Sequence, residues 1–523
     1  MSPGLAPRPL WAGRHGAQTL DAPVRLVQES VAGPTGKARI GSPGAFQPAA
    51  ACHRQVAACD DRWQDVRVAQ TGGRPAAVEG TSGRHRVVIV GGGFAGLYTA
   101  RSLGKDQSVD VTLIDRRNYH LFQPLLYQVA TGALSPGDIA QPLRSIVRRS
   151  QNTRVLLGEA VELDPAARRV TLSDGGTIDY DTLVVATGAR HAYFGHDDWA
   201  PLAPGLKTIE DATEIRRRIL ISYEAAEREA DPVRRAEWMT FVVVGAGPTG
   251  VELAGALGEI SQDTLRRDFR SIHPADARVL LVEALDRVLP TYPEKLSASA
   301  RRQLERLGVT VRTGTRVTGI DEGGIDVVVA GEAGRPTERI PTRTVLWAAG
   351  VQASSFGRKV ADALGVAVDR VGRVPVGPDL AVAGHPEIRV LGDLAVATRK
   401  GGKLVPGVAP AAIQEGKYVA GAIRARVRGE TPKPFRYRDR GDVAVIGRLS
   451  GVADVRWLGR FGRWSGFPAW AMWLGVHIVY LIGFANRLVV TIRWAWSFLT
   501  HGRGTRLITG EPHLPPIKRP ERL

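Results

Sequence analysis

Cysteine is almost missing from these 523 residues: there are two, Cys52 and Cys59, and both precede every strand-like apolar run in the chain. They cannot build a disulfide framework, which fits a reducing compartment or a cytoplasm-facing location. From residue 60 onward no thiol is available for redox chemistry. Residues 1–83 lack sustained apolar periodicity and the uninterrupted hydrophobic core of a secretory signal. Rich in Pro, Gly and Ala, they read as a disordered extension, with scattered arginines that bring a mitochondrial transit peptide only faintly to mind. Acids are scarce relative to bases, 52 against 70, and the formal net charge of +18 implies an anionic partner, either nucleic acid or an acidic membrane surface. Composition does not choose between them. The length suffices for two or three domains.

What is present begins at residues 86–96, RVVIVGGGFAG. A β-branched run breaks into a glycine turn and then into a helical pattern at 97–103. Gly91 permits the tight turn, Gly93 lets backbone approach a pyrophosphate, and Gly96 lets the helix lie against the strand. A second strand at 109–114 ends in Asp115, nineteen residues past Gly96, where a ribose-binding carboxylate is expected. A second unit repeats the first: a strand at 241–244, then Gly245, Gly247 and Gly250 in GAGPTG, then a helix at 251–260. Its next strand, 278–282, ends in Glu283. The gap of thirty-three residues from Gly250 implies an inserted helical stretch at about 259–271. A carboxylate at Glu283 accepts from two ribose hydroxyls and repels a 2′-phosphate, which favours NADH over NADPH, with Arg287 close enough to weaken that preference. Two complete fingerprints allow one site to hold a flavin dinucleotide and the other to receive a nicotinamide.

Further segments read as strand ends where α/β ligands bind. Residues 180–188 end in Ala-Thr-Gly, placing Thr187 and Gly188 beside a cofactor, and 388–395 present Gly392 and Asp393 to a ribityl chain or pyrophosphate. Strand-like runs also fall at 154–160, at 344–351 and at 168–179, the last folded about Asp174-Gly175-Gly176. A crossing linker at 203–212 leads into a helix at 211–229. The stretch 118–132, NYHLFQPLLYQVATG, is aromatic and amide-rich, with Pro124 interrupting any helix. It is either a core-packing loop or one that stacks on a flavin ring. Residues 406–416 open a helix with small residues and carry Gln414, suited to an alanine-rich packing helix or to a narrow apolar approach to a flavin.

From residue 86 onward the chain resembles the type II NADH:quinone oxidoreductases, single-subunit respiratory flavoproteins that do not pump protons. The match is carried by GGGFAGL at 91–97, YHLFQPLLYQVATG at 119–132, ATG at 186–188, APGLKTIEDA at 203–212, VVVGAGPTGVELAG at 242–255, LVEA at 281–284, LWAAGV at 346–351 and GD at 392–393. The resemblance implies an α/β fold of two Rossmann-like dinucleotide-binding domains with a C-terminal amphipathic membrane-attachment region. It implies FAD on Gly91, Gly93, Gly96, Asp115, Thr187, Gly188 and Asp393, and NADH on Gly245, Gly247, Gly250 and Glu283. Glu252 is expected near the nicotinamide–flavin junction. The segment 409–414 is expected to line a quinone pocket that in similar proteins carries two glutamines; here the first position is Pro410 and only Gln414 remains. The implied division is a first FAD-binding part at 84–205, an inserted NADH-binding domain at 206–340, a second FAD-binding part at 341–425 and a membrane-anchoring region at 426–523. Disulfide reductases and sulfide:quinone oxidoreductases share this fold but need cysteines near the flavin, and none follows residue 59. No metal site is expected, and a homodimer is left open.

Residues 426–523 hold seventeen basic and six acidic residues and six of the eleven tryptophans, the composition of a surface that sits on anionic headgroups. Residues 466–485 are free of charge, but Pro468, three glycines and a central His477 argue against a span. Residues 486–500 set Arg487 and Arg493 against an apolar remainder, an amphipathic pattern for monotopic attachment. His477 reads as a packed polar residue. The expected location is the cytoplasmic face of a bacterial inner membrane, with the mitochondrial inner membrane as the alternative. The rival readings are a soluble flavin reductase feeding a protein carrier and a basic NADH-sensing flavoprotein binding nucleic acid. Neither needs six interfacial tryptophans.

Overall fold

Apolar β-branched runs that end in small residues occur in two sets along the chain, and each set assembles a parallel sheet. The computed structural model describes residues 83–329, 337–399, 401–500, 504–510 and 514, all within the compact unit Arg74–Leu523. The expectations for residues 1–82, with Cys52 and Cys59, lie outside the described residues.

Strand β1 (His85–Val90) leads through the first glycine turn into helix α1 (Phe94–Leu103) and strand β2 (Val109–Asp115). The aromatic segment follows, with a helical turn at Gln123–Leu125 and the short helix α2 (Leu126–Ala130). Pro124 starts this helical stretch instead of breaking it, because a first-turn position needs no N–H. Strand β3 (Thr153–Leu157) joins β2, and an antiparallel meander of β4 (Ala160–Asp164), β5 (Arg169–Leu172) and β6 (Thr177–Asp179) precedes β7 (Thr182–Val185). Helix α3 (Ile209–Arg228) starts two residues earlier than the apolar pattern suggests. Thr208 caps it in a capping box with Asp211.

The second set repeats this order. Strand β8 (Thr240–Val244), helix α4 (Pro248–Glu259), β9 (Arg278–Val282), helix α5 (Glu294–Arg306) and β10 (Val309–Arg312) are followed by a second meander, β11 (Thr315–Asp321), β12 (Gly324–Val329) and β13 (Glu338–Pro341), and then by β14 (Thr344–Trp347). The helix expected at 259–271 does not form. A single wide turn, Ile260–Thr264, ends α4, and the rest of that insertion is turns with a short helical stretch at Pro274–Asp276. Its apolar residues, Leu265, Phe269 and Ile272, still pack into the core, but they do so from turns, with the charged Arg266, Arg267, Asp268 and Arg270 between them.

Strand β15 (His385–Val390) then returns to the first sheet, whose order is Ala381–Val382, β15, β7, β1, β2, β3; the second sheet runs β10, β9, β8, β14. Helix α6 (Ala409–Val427) covers the first sheet beside α1. Covered on both faces, β7, β8 and β14 are buried throughout, as parallel strands require. A hairpin of β16 (Asp442–Gly447) and β17 (Ser450–Asp454) carries the C-terminal helices α7 (Phe467–Tyr480) and α8 (Phe484–Thr500).

The charge-free stretch 466–485 is not one helix. It breaks after Tyr480, and Gly483 turns at φ +92. The fourteen residues of α7 reach only about 21 Å, short of the roughly 30 Å of a bilayer core. Among the described residues no helix is long and apolar enough to cross a membrane. One face of α7 instead joins the protein core, with Ala469, Trp473 and His477 buried.

Candidate functional site

The two glycine turns match bond for bond. Gly91 N–H donates to Ile114 O at 2.8 Å, and Gly245 N–H donates to Val282 O at 2.8 Å. Both glycines have positive φ, +107 and +98, and a Cβ on either would strike the neighbouring strand end, at Ala186 and Ala349 respectively. Gly96 and Gly250 face the Gly91 and Gly245 carbonyls so closely that no side chain fits. Gly93 and Gly247 differ: nothing lies within 4 Å of the place a Cβ would take. They are the N-caps of α1 and α4, neither of which has a side-chain cap or an acid in its first turn. Uncapped N–H groups at a helix start, facing open space, make an anion cradle.

The strand-end acids complete the match. Asp115 accepts from Gly92 N–H at 2.6 Å and from Arg117 N–H at 2.7 Å. Glu283 accepts from Ala246 N–H at 2.6 Å and from Leu285 N–H at 2.9 Å. Register explains this identity despite unequal sequence gaps: Val90 pairs with Ile114, and Val244 with Val282, so each acid follows the same ladder position. Burial raises the Asp115 pKa above its ordinary value. Arg287, expected near Glu283, turns away and donates to Pro290 O at 3.1 Å; among the described residues it forms no ion pair with that acid.

Thr187 and Gly188 lie past the end of β7. Thr187 Oγ1 is 2.6 Å from Ser354 Oγ, and Gly188 has φ +68. Asp393 follows β15, with Lys207 Nζ 3.7 Å from its carboxylate. Sequence reasoning passed over Lys207, although it stands inside the quoted APGLKTIEDA. His120, within the aromatic segment expected either to pack or to meet a flavin, has its Nδ1 3.0 Å from Gly92 O, and its buried Nε2 has no hydrogen-bond partner among the described residues. Burial lowers its pKa to about 4, so the ring stays neutral.

A cavity of about 460 Å³ lies between α2, α4, the β16–β17 hairpin and the C-terminal helices. Its walls include Tyr127, Gln128, Trp470, Trp473 and Trp494, and Glu252 faces it. Trp494 Nε1 donates to Gln128 Oε1 at 2.7 Å, and Gln128 Nε2 to the Tyr127 hydroxyl at 2.9 Å, so α8 is latched to α2. Arg493 pairs with the buried Asp138 at 2.9 Å on the same side. Apart from its exposure to the cavity, Glu252 is enclosed by protein. Burial pushes its pKa up to about 8, offset in part by the Val445 amide. The Trp473 indole N–H stands near that carboxyl without meeting hydrogen-bond geometry and has no hydrogen-bond partner among the described residues.

Gln414 is not on this cavity. Its amide N–H group donates to Pro410 O at 3.2 Å and Arg438 O at 3.1 Å, and its oxygen accepts Arg438 N–H at 2.9 Å. Both ends of the amide are engaged by backbone, so a quinone carbonyl there would have to displace one of these bonds. Glu252 and Gln414 are therefore not brought to one pocket. His477 packs as expected, stacked on Trp473 with its Nδ1 2.7 Å from Trp473 O, and burial lowers its pKa to about 4. No cluster of metal-binding side chains occurs among the described residues.

Comparison with known proteins agrees with this geometry. Residues 85–416 match the family described as pyridine nucleotide-disulphide oxidoreductase. The chain is 46% identical over 447 residues to the type II NADH:quinone oxidoreductase NdhA of Mycobacterium tuberculosis, covering 84% of this chain and 92% of that protein. It is 45% identical over 434 residues to Ndh of the same organism, covering 82% and 91%. The fold resembles that of NDH2 from Plasmodium falciparum, with a TM-score of 0.73 at 19% identity over 81% of this chain and 99% of that one. The chain belongs to the type II NADH:quinone oxidoreductases, within the pyridine nucleotide-disulphide oxidoreductase family.

Proposed function

We propose that this protein oxidises NADH and passes two electrons to a membrane quinone through one bound FAD. The observation that carries the reading is the duplicated cradle: two glycine turns, each with open space over its N-cap glycine and an acid at the same ladder position. Each half has the groups that fit a dinucleotide, including a carboxylate for an adenosine ribose, which supports FAD over a mononucleotide on the first turn. A bound flavin supplies the chemistry that joins a hydride donor to a two-electron acceptor. The chain's own residues bind, orient and exclude water. Gly91, Gly93 and Gly96 with Asp115 hold one nucleotide; Gly245, Gly247 and Gly250 with Glu283 hold the other. Thr187, Gly188 and Asp393 bound the first site at its strand ends. The apolar cavity beside α2 and α4 suits a quinone ring, with Glu252 holding a proton at its wall.

Glu283 has a direct test. Glu283→Gln should weaken NADH binding about tenfold and relax rejection of NADPH, because charge-assisted bonds to ribose hydroxyls and repulsion of a 2′-phosphate are both lost. An unchanged preference in titrations with the two nucleotides would remove Glu283 from that role.

Membrane attachment is read from the surface of the C-terminal helices. Trp457 and Phe461 in the turn before α7, Phe467 and Val479 on α7, and Ile492 and Trp496 on α8 are each more than half exposed, in a C-terminal region whose sequence is strongly basic. Such a band supports peripheral attachment to anionic lipid, which we place at the cytoplasmic face of a bacterial membrane. Because α7 contributes both to this band and to the core, truncation at Gly466 would damage the fold. Substitution on α8 separates the two effects. Ile492→Ser with Trp496→Ser should lower partition into vesicles containing phosphatidylglycerol by about tenfold or more, with NADH binding unchanged. Equal partition in flotation assays would count against the attachment surface.

A further inference from the structure

Past β15 the backbone runs out of strand partners. Leu391 N–H donates to Val185 O at 3.0 Å, the last bond between β15 and β7. The next residue, Gly392, turns at φ +68. Its N–H is taken by a side chain, the Glu415 carboxylate, at 2.6 Å. Glu415 stands on α6 and is only 2% exposed. We propose that Glu415 is a positioning residue of the flavin site: it fixes the Gly392 peptide and with it the direction in which Asp393 faces the cofactor. This rests on the flavin reading above.

Burying a carboxyl group costs free energy unless it has partners, so its place needs a compensating task. Here the task is an N–H that the sheet cannot satisfy. Burial and the nearby Asp393 push the Glu415 pKa up to about 7. The bond survives either protonation state, because a neutral acid keeps a carbonyl oxygen that accepts.

The helix bearing Glu415 is itself fixed to the first glycine turn. Gly416 lies so close to the Ala95 carbonyl of α1 that a side chain there would collide, and Thr99 Oγ1 donates to Gly416 O at 3.2 Å. From another segment, the Lys207 ammonium approaches Asp393 at 3.7 Å, and the Lys207 carbonyl accepts from Gln123 Nε2 at 3.1 Å. The Gly392–Asp393 turn is thus held through Glu415 to the helix that opens at Gly93, and through Lys207 to the aromatic segment. Neighbouring residues on α6 divide the work: Gln414 pins the backbone at Arg438, and Glu415 pins Gly392.

The test compares Glu415→Ala and Glu415→Gln with wild type as full-length protein. Two quantities are read: flavin retained per chain after gel filtration, and the rise in melting temperature when FAD is added to apoprotein. Glu415→Ala should bind FAD about tenfold more weakly and lose much of that rise. Glu415→Gln, which keeps an acceptor oxygen, should match wild type in both. A Glu415→Ala protein whose FAD-induced rise equals that of wild type would overturn the proposal, because a merely structural role lowers apo and holo melting alike. Glu415→Gln as impaired as Glu415→Ala would overturn it as well. Wild-type protein that takes up no flavin would instead count against the functional reading on which the proposal rests.

Discussion

A Gly93→Val protein should fold and purify colourless, whereas a Gly247→Val protein should be yellow and refuse to bleach with NADH. Both glycines are helix N-caps with ordinary backbone angles, φ −69 and −70, that any residue adopts. At neither position does an atom lie within 4 Å of where a Cβ would sit, so the valine side chain has room to enter. What it fills is the space over the helix N-terminus that a pyrophosphate needs. Loss of binding should therefore exceed a hundredfold on the substituted side, with about 1 kcal/mol or less of change in apoprotein stability. Gly96 and Gly250 are the contrast. A side chain there strikes the Gly91 or Gly245 carbonyl, and the same substitution should cost the fold as well as the ligand. Flavin content by absorbance, anaerobic bleaching and thermal melts together separate the two pairs. A yellow Gly93→Val protein would show that the first turn is not the flavin cradle.

Glu252→Gln is expected to uncouple the two half-reactions. The buried carboxyl keeps its proton to about pH 8, so at neutral pH it is an acid facing the cavity wall. Glutamine preserves size and neutrality but has no acidic proton to give. Reduction by NADH should be unchanged, while reoxidation by quinone falls by roughly ten- to a hundredfold, the range for losing one general acid. Wild-type reoxidation should decline above pH 8, and the variant's should not. Stability carries the same signature. The folded state binds the Glu252 proton up to about pH 8, while an unfolded chain releases it near its ordinary value of 4.5. Between these limits the unfolded state holds fewer protons, so the Glu252 contribution falls as pH rises, by up to about 1.4 kcal/mol per unit, and is level above 8. In Glu252→Gln that slope should vanish. Equal quinone kinetics in the two proteins would remove Glu252 from the reaction.

The glycine turns and their acids were legible in the sequence because each answers a local backbone demand. Glu283 was legible in spite of its long gap, since strand β9 ends there whatever the insertion before it does. Helix starts were read late by three residues at Phe94 and Pro248 because the helix begins inside the glycine turn, where no apolar period is visible. The cavity was not legible at all. Its walls come from α2, α4, the β16–β17 hairpin and α7–α8, segments separated by up to hundreds of residues, and only packing brings Gln128 to Trp494. Gln414 illustrates the converse. Its place on α6 was readable, but the engagement of its amide by Arg438 depends on a loop that no pattern near Gln414 announces. Glu415, one residue on, was missed because a buried acid serving a single peptide N–H leaves no trace in spacing.

A relay from NADH through one bound flavin to a quinone is open to stopped-flow absorbance on purified full-length protein. Mixing with anaerobic NADH should bleach the flavin band stoichiometrically, and a second mix with a short-chain quinone should restore it at a rate that depends on Glu252. A protein that stays colourless after reconstitution with FAD, or one whose reduced flavin ignores quinone, would rule the relay out.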